Sequence, residues 1–105
     1  MTKTYETGNP IISRIEVWYT GCLFNLEFFA PEYSNTLFWG EGNLPDDVFN
    51  SIRNYIQDFI DDPDLCLKDK DKASDVALKL LVEYKDILFK DMNEMIKTHK
   101  ANNDN

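Results

Sequence analysis

Two apolar runs near the start of the chain alternate with polar residues in the two-residue period of a β-strand. Both lie within residues 11–29, IISRIEVWYTGCLFNLEFF, and Thr20-Gly21 separates them. Glycine adopts the positive φ that a tight turn requires, so the pattern predicts an antiparallel hairpin with its loop at these two residues. In this register one face is almost wholly apolar and is expected to face the core. That face carries Ser13, Ile15, Val17, Tyr19, Cys22, Phe24, Leu26 and Phe28.

The opposite face of the predicted hairpin mixes charged and apolar residues. Its register sets Arg14 across from Glu27, an opposite-charge pair worth about 0.2–1 kcal/mol. Four apolar residues bracket this charged middle and would need a cover, which makes them a candidate surface for self-association. These residues are Ile12, Trp18, Leu23 and Phe29.

Beyond the hairpin, the pattern predicts one more strand and two helices. Residues 36–39 read as a short third strand, and the Gly40-Glu41-Gly42 sequence reads as a turn that ends the sheet. From residue 44 the apolar residues recur every three or four positions, which predicts amphipathic helices over about 44–61 and 73–98.

These elements predict an α+β fold in which a small antiparallel sheet packs against two amphipathic helices. The chain of 105 residues is long enough for one core and too short for two, so residues 1–105 are expected to form a single domain. The ends, residues 1–10 and 100–105, are polar and are expected to be loose tails.

Composition narrows the classes of function. Aromatic residues make up 13% of the chain, which argues against disorder, and the net charge of −8 argues against binding to nucleic acid or anionic membranes. No apolar run approaches the length of a membrane-spanning helix, and the N-terminus lacks the apolar segment of a secretion signal. Cys22 and Cys66 show no metal or redox spacing. We therefore expect a soluble protein of the reducing cytoplasm.

Candidate catalytic residues are few. His99 is the one histidine, and Cys22 is expected to be a small core residue rather than a nucleophile. Asp91 falls inside the apolar arc of the second helix, where a buried carboxylate could serve as an acid or base; we expect it at the rim, near Lys85 or Arg14. With no second group to act beside it, the sequence predicts no catalytic site, no cofactor and no enzyme.

The segment from Asp69 to Leu80 places acidic residues at the first, third and seventh positions of a possible calcium loop. The loop's required glycine is replaced by Ser74 and its bidentate glutamate by Leu80. We therefore expect no metal site, and interpret the segment as a solvated helix start capped by Asp71 or Ser74.

Negative charge is concentrated around the first helix and carries the functional prediction. Residues 44–67 contain six aspartates against Arg53 alone. Asp61, Asp62 and Asp64 follow or end the helix, where acids oppose the helix dipole, so these residues are candidates for partner binding. A solvated acidic helix end that only aids solubility is the alternative. The predicted partner-binding residues are Asp47, Asp58, Asp61, Asp62 and Asp64, with Trp39 and Glu41.

In size, acidity and mixed α+β content the chain resembles bacterial immunity proteins. The resemblance implies a protein that neutralises a basic protein partner, such as a nuclease toxin, by covering its cationic surface. Self-association through the outer face of the hairpin remains the alternative, as a structural or adaptor module.

Overall fold

A computed structural model describes residues 1–33, 35–62 and 70–103. It contains a four-stranded antiparallel sheet and two helices, which confirms the predicted α+β class. The strands lie side by side in chain order, so each strand pairs with the next one. The elements are β1 (Thr2–Glu6), β2 (Arg14–Tyr19), β3 (Phe24–Ala30), a short 3₁₀ helix (Pro31–Tyr33), β4 (Asn35–Gly42), α1 (Pro45–Asp61) and α2 (Lys70–Asn103).

The inner face of the sheet packs against both helices and forms the core. Six of the eight hairpin residues predicted to face the core are buried there: Ile15, Val17, Tyr19, Phe24, Leu26 and Phe28. The helices contribute apolar side chains at three- and four-residue spacing, among them Val48, Ile52, Ile56, Leu81, Leu88 and Met92. Burying each such side chain contributes about 1.5–3 kcal/mol, so this layer is the main source of stability.

The hairpin register differs from the predicted one by two residues. Tyr19 pairs with Phe24, and the turn residues are Gly21 and Cys22 rather than Thr20 and Gly21. Gly21 has φ +104°, and glycine at the first central position is what a type II′ turn favours. A shift of two residues keeps the residues of β2 and β3 on their predicted faces, because strand residues alternate with a period of two.

The new register also changes the cross-strand partners. The predicted pairing of Arg14 with Glu27 was wrong: Arg14 lies across from Phe29, and its guanidinium carbon is 4.3 Å from the Phe29 ring centroid. Glu27 instead lies directly across from Glu16. Arg14 Nε is 3.3 Å from Glu16 Oε1, so the ion pair forms within β2.

The expectation of a loose N-terminal tail was wrong for residues 2–6, which form β1 and pair with β2. Tyr5 of β1 is buried and pairs with Ile15, so this strand extends the core by one more row. Residues 100–103, also expected to be loose, continue α2. No Gly or Pro follows Pro63, so nothing in the sequence ends the second helix early.

Gly40 and Gly42 lie in β4, so the predicted turn at these residues was wrong. The strand is longer than residues 36–39, and α1 crosses it closely. A Cβ atom on Gly40 would lie 2.5 Å from the backbone nitrogen of Ile52, well inside van der Waals contact. Glycine is therefore required here for the helix to approach the strand.

Candidate functional site

Helix α1 presents an acidic stripe to solvent along the side opposite its core residues. The side chains of Asp47, Asp58 and Asp61 are exposed, and that of Asp62 is half-buried. Asp61 accepts hydrogen bonds of 3.2 Å at both carboxylate oxygens from the Gln57 amide. The predicted partner-binding residue Asp64 lies outside the described residues.

The outer edge of β4 lies alongside this stripe. The Glu41 backbone N–H donates a 3.1 Å hydrogen bond to Ser51 Oγ of α1, so this N–H points away from β3 and towards the helix. Further along, the rings of Trp39 and Tyr55 lie with centroids 6.1 Å apart. Because β4 is the last strand of the sheet, the edge and the helix together form one continuous surface.

We call this surface the edge surface and define it by its residues on β4 and α1. They are Trp39, Glu41, Asp47, Tyr55, Asp58, Asp61 and Asp62. Two aromatic side chains are open to solvent within it, Trp39 at 40% and Tyr55 at 38% exposure. A shallow pocket of about 210 Å³ lies at one end, lined by Tyr55, Asp58, Phe59 and Asp62.

The electrostatics of the edge surface are one-sided. It holds five carboxylates, β4 contains no Lys or Arg, and α1 contains only Arg53. Arg53 lies five residues before Asp58, which places it about 140° away around the helix. The structure thus places six of the seven predicted partner-binding residues on one surface and adds Tyr55 to them.

The four residues predicted for self-association do not form one surface. Ile12 is fully buried in the core, because it precedes β2 and does not follow that strand's alternation. Trp18 is 43% exposed on the outer face of the sheet, whereas Leu23 is half-buried beside the turn. Phe29 is half-buried under the Arg14 guanidinium. The apolar surface on the outer face is therefore smaller than predicted.

A groove of about 390 Å³ lies on the outer face of the sheet, next to the edge surface. It is lined by Asn25, Glu27, Thr36 and Trp39, from β3 and β4. The predicted register did not include the pairing of Glu27 with Trp39, so the apolar pattern did not predict this groove. Trp39 belongs to both the groove and the edge surface.

Asp91 is buried, at 6% exposure, and the expectation of a rim position near Lys85 or Arg14 was wrong. The Tyr5 hydroxyl donates a hydrogen bond to the Asp91 carboxylate, and Lys3 Nζ lies 3.3 Å from its other oxygen. Burial, together with the hydrogen bond and charge of Asp91, raises the pKa of Tyr5 well above its ordinary value. These contacts join β1 to the middle of α2.

Cys22 is exposed in the turn, so the prediction that it faces the core was wrong. The second cysteine, Cys66, lies outside the described residues, as does Asp69 of the possible calcium loop. Asp71 and Ser74 lie within α2 rather than at its cap. Among residues 1–33, 35–62 and 70–103, no three His, Cys, Asp or Glu side chains are grouped so that they could hold a metal ion.

The chain matches no model of a known protein family, no curated protein and no solved structure. Within the described ranges, neither helix combines the length and apolar character needed to cross a bilayer.

Proposed function

We propose that this protein is an acidic cytoplasmic binding protein that neutralises a basic protein partner through the edge surface. An immunity protein or antitoxin that blocks a nuclease toxin is the form of this function that fits its composition. The observation that carries the proposal is the gathering of five carboxylates and two half-exposed aromatic rings on one continuous surface.

The physical basis is electrostatic complementarity combined with aromatic anchoring. Carboxylates on one side of a protein steer a positively charged partner towards it and raise the association rate, most strongly at low ionic strength. Aromatic residues at the centre of an interface supply most of the binding energy once they are desolvated. Trp39 and Tyr55 lie among the carboxylates, where they would take this second role.

The test is binding to a panel of basic nucleases, measured as association and dissociation rates at several ionic strengths. We expect association with the partner to slow steeply as salt is added. Replacing Asp58, Asp61 and Asp62 together by Asn should slow association about tenfold. We expect little change in thermal stability, because Asp58 and Asp61 are exposed, Asp62 is half-buried, and Asn has nearly the same shape as Asp.

A matched control removes the same charge elsewhere. Asp75, Asp86 and Glu94 are exposed on α2, and their replacement by Asn, Asn and Gln gives a variant of identical net charge. The proposal requires this control to associate nearly as fast as the wild type. Equal slowing in both variants would reduce the effect to net charge and remove the edge surface from the function.

Self-association is a second candidate, favoured by the exposure of Trp18 on the outer face of the sheet. Light scattering separates the two. A dimer that is insensitive to salt and is lost in Trp18→Ser would favour a structural or adaptor module, whereas a monomer favours the inhibitor.

A further inference from the structure

We infer that the outer-face groove beside the edge surface is the receptor for an arginine side chain of the basic partner. This inference rests on the proposed function and names the contact that would anchor it. The groove is lined by Asn25, Glu27, Thr36 and Trp39. Three of them, Asn25, Glu27 and Trp39, would each make a different interaction with the arginine.

The carboxylate of Glu27 in the groove has no cationic partner within the described part of the chain. Glu27 lies directly across from Glu16, and like charges in facing positions of neighbouring strands oppose folding. Glu16 has Arg14 beside it at 3.3 Å, whereas no described cationic side chain lies within ion-pairing distance of Glu27. A positive group entering from outside would relieve this repulsion.

The amide in the groove has an unmet hydrogen bond. Asn25 Oδ1 is shielded from solvent and has no hydrogen-bond partner among the described residues. A buried acceptor without a donor reduces stability. Asn25 and Glu27 lie on the same face of β3, two positions apart, so one planar donor group in the groove can contact both side chains once the Asn25 amide rotates to turn Oδ1 towards it.

The wall of the groove suits a planar cation. Trp39 pairs with Glu27 across the strands and is 40% exposed. A guanidinium stacks on the face of an indole while its N–H groups bind a carboxylate in a bidentate manner. An ammonium has neither the flat surface nor the fixed fork of donors, so the groove favours arginine over lysine.

The test uses peptides with one central arginine between glycine and serine residues, and matched peptides with lysine or citrulline at that position. The protein carries Trp18→Phe, so that Trp39 is the only tryptophan and its fluorescence reports on the groove. We expect the arginine peptide to cause a saturable change in Trp39 fluorescence. The citrulline peptide should bind about tenfold more weakly, because citrulline keeps the shape of arginine but lacks its charge.

Two variants locate the contact. Glu27→Gln should weaken binding of the arginine peptide about tenfold. It should also raise the melting temperature of the protein, because the repulsion from Glu16 is removed. Glu6→Gln is the control, since Glu6 is exposed on β1 and lies outside the groove. Binding of Glu27→Gln with wild-type affinity, or equal affinity for arginine and citrulline peptides, overturns the inference.

A second copy of the chain is the competing occupant. Sedimentation that shows a dimer dissociated by Glu27→Lys would overturn the inference in favour of that occupant. A different result would contradict the proposed function: basic nucleases would associate equally fast with the wild type and with the variant lacking Asp58, Asp61 and Asp62. If those nucleases bind in a salt-dependent way but Glu27→Gln has no effect, the function stands and the arginine receptor does not.

Discussion

The hydroxyl of Tyr5 donates a hydrogen bond to the carboxylate of Asp91, 86 residues further along the chain. One residue lies on the edge strand of the sheet and the other near the middle of the long helix. Replacing Tyr5 by Phe removes this donor, and among the residues that the structure describes it leaves Lys3 as the partner of the buried carboxylate. We expect a loss of about 1–3 kcal/mol in the free energy of unfolding, measured by urea denaturation.

The matched control is Tyr84→Phe. Its hydroxyl donates a longer bond of 3.4 Å to the exposed backbone oxygen of Glu6, so its loss should cost about 1 kcal/mol or less. Equal destabilisation by the two substitutions would show that the Tyr5–Asp91 contact has no special part in holding β1 to α2.

The raised pKa of Tyr5 predicts a specific dependence on alkaline pH. Its pKa in the folded protein is above the ordinary value of 10.0, so the neutral phenol is favoured by folding. This contribution to stability is complete below pH 10 and is lost as pH rises through the folded-state pKa. The stability difference between the wild type and Tyr5→Phe should therefore shrink above pH 10. If this stability difference stays constant in urea titrations up to about pH 11.5, the prediction is contradicted.

Substitution of Gly40 tests the close crossing of α1 over β4. An added Cβ would meet the backbone of Ile52 rather than a movable side chain, so the helix itself must shift. We expect Gly40→Ala to lower the free energy of unfolding by about 1–3 kcal/mol. The neighbouring exposed residue provides the control: Glu41→Ala should change it by about 0.5 kcal/mol or less.

The position of Cys22 in the turn predicts a reactive thiol in the native protein. In a Cys66→Ser background, Cys22 should react with a chromogenic disulfide reagent at nearly the rate seen in the urea-unfolded chain, because its side chain is exposed. Strong protection in the folded state would restore the register with Cys22 facing the core.

That register shows what an apolar pattern can and cannot predict. Pairing Tyr19 with Cys22 or with Phe24 places the residues of β2 and β3 on the same faces, since the two registers differ by two residues. The faces of the hairpin were therefore predictable, and the partners were not. The choice between them depends on whether Gly21 takes the first or the second position of the turn, which the sequence pattern leaves open.

The N-terminal strand illustrates a different limit. Residues 2–6 are mostly polar and exposed, and only Tyr5 is buried, so β1 lacks the apolar alternation that marks a strand in sequence. It is held by pairing with β2 and by the contact with Asp91, both of which depend on distant parts of the chain. Because the sequence pattern did not predict β1, it could not predict the contacts that Tyr5 and Lys3 make with Asp91.

The acidic stripe was the most predictable part of the candidate site, because helical periodicity alone places Asp47, Asp58 and Asp61 on one side. The groove was not predictable, since it requires the pairing of β3 with β4 and the irregular register at Phe28 and Phe29. The sequence thus predicted the carboxylates and Trp39 of the surface, whereas Tyr55 and the groove depend on how the elements pack and pair.

The hydrogen bond from the Glu41 N–H to Ser51 Oγ has a consequence for aggregation. An open sheet edge invites pairing with strands of other copies, and a side chain that occupies one of its donors discourages this. The carboxylates around it add repulsion between copies. Neutralising those acids to test binding should therefore also increase aggregation of the protein. The Ser51 hydroxyl would then be the group that still blocks pairing at this edge of β4.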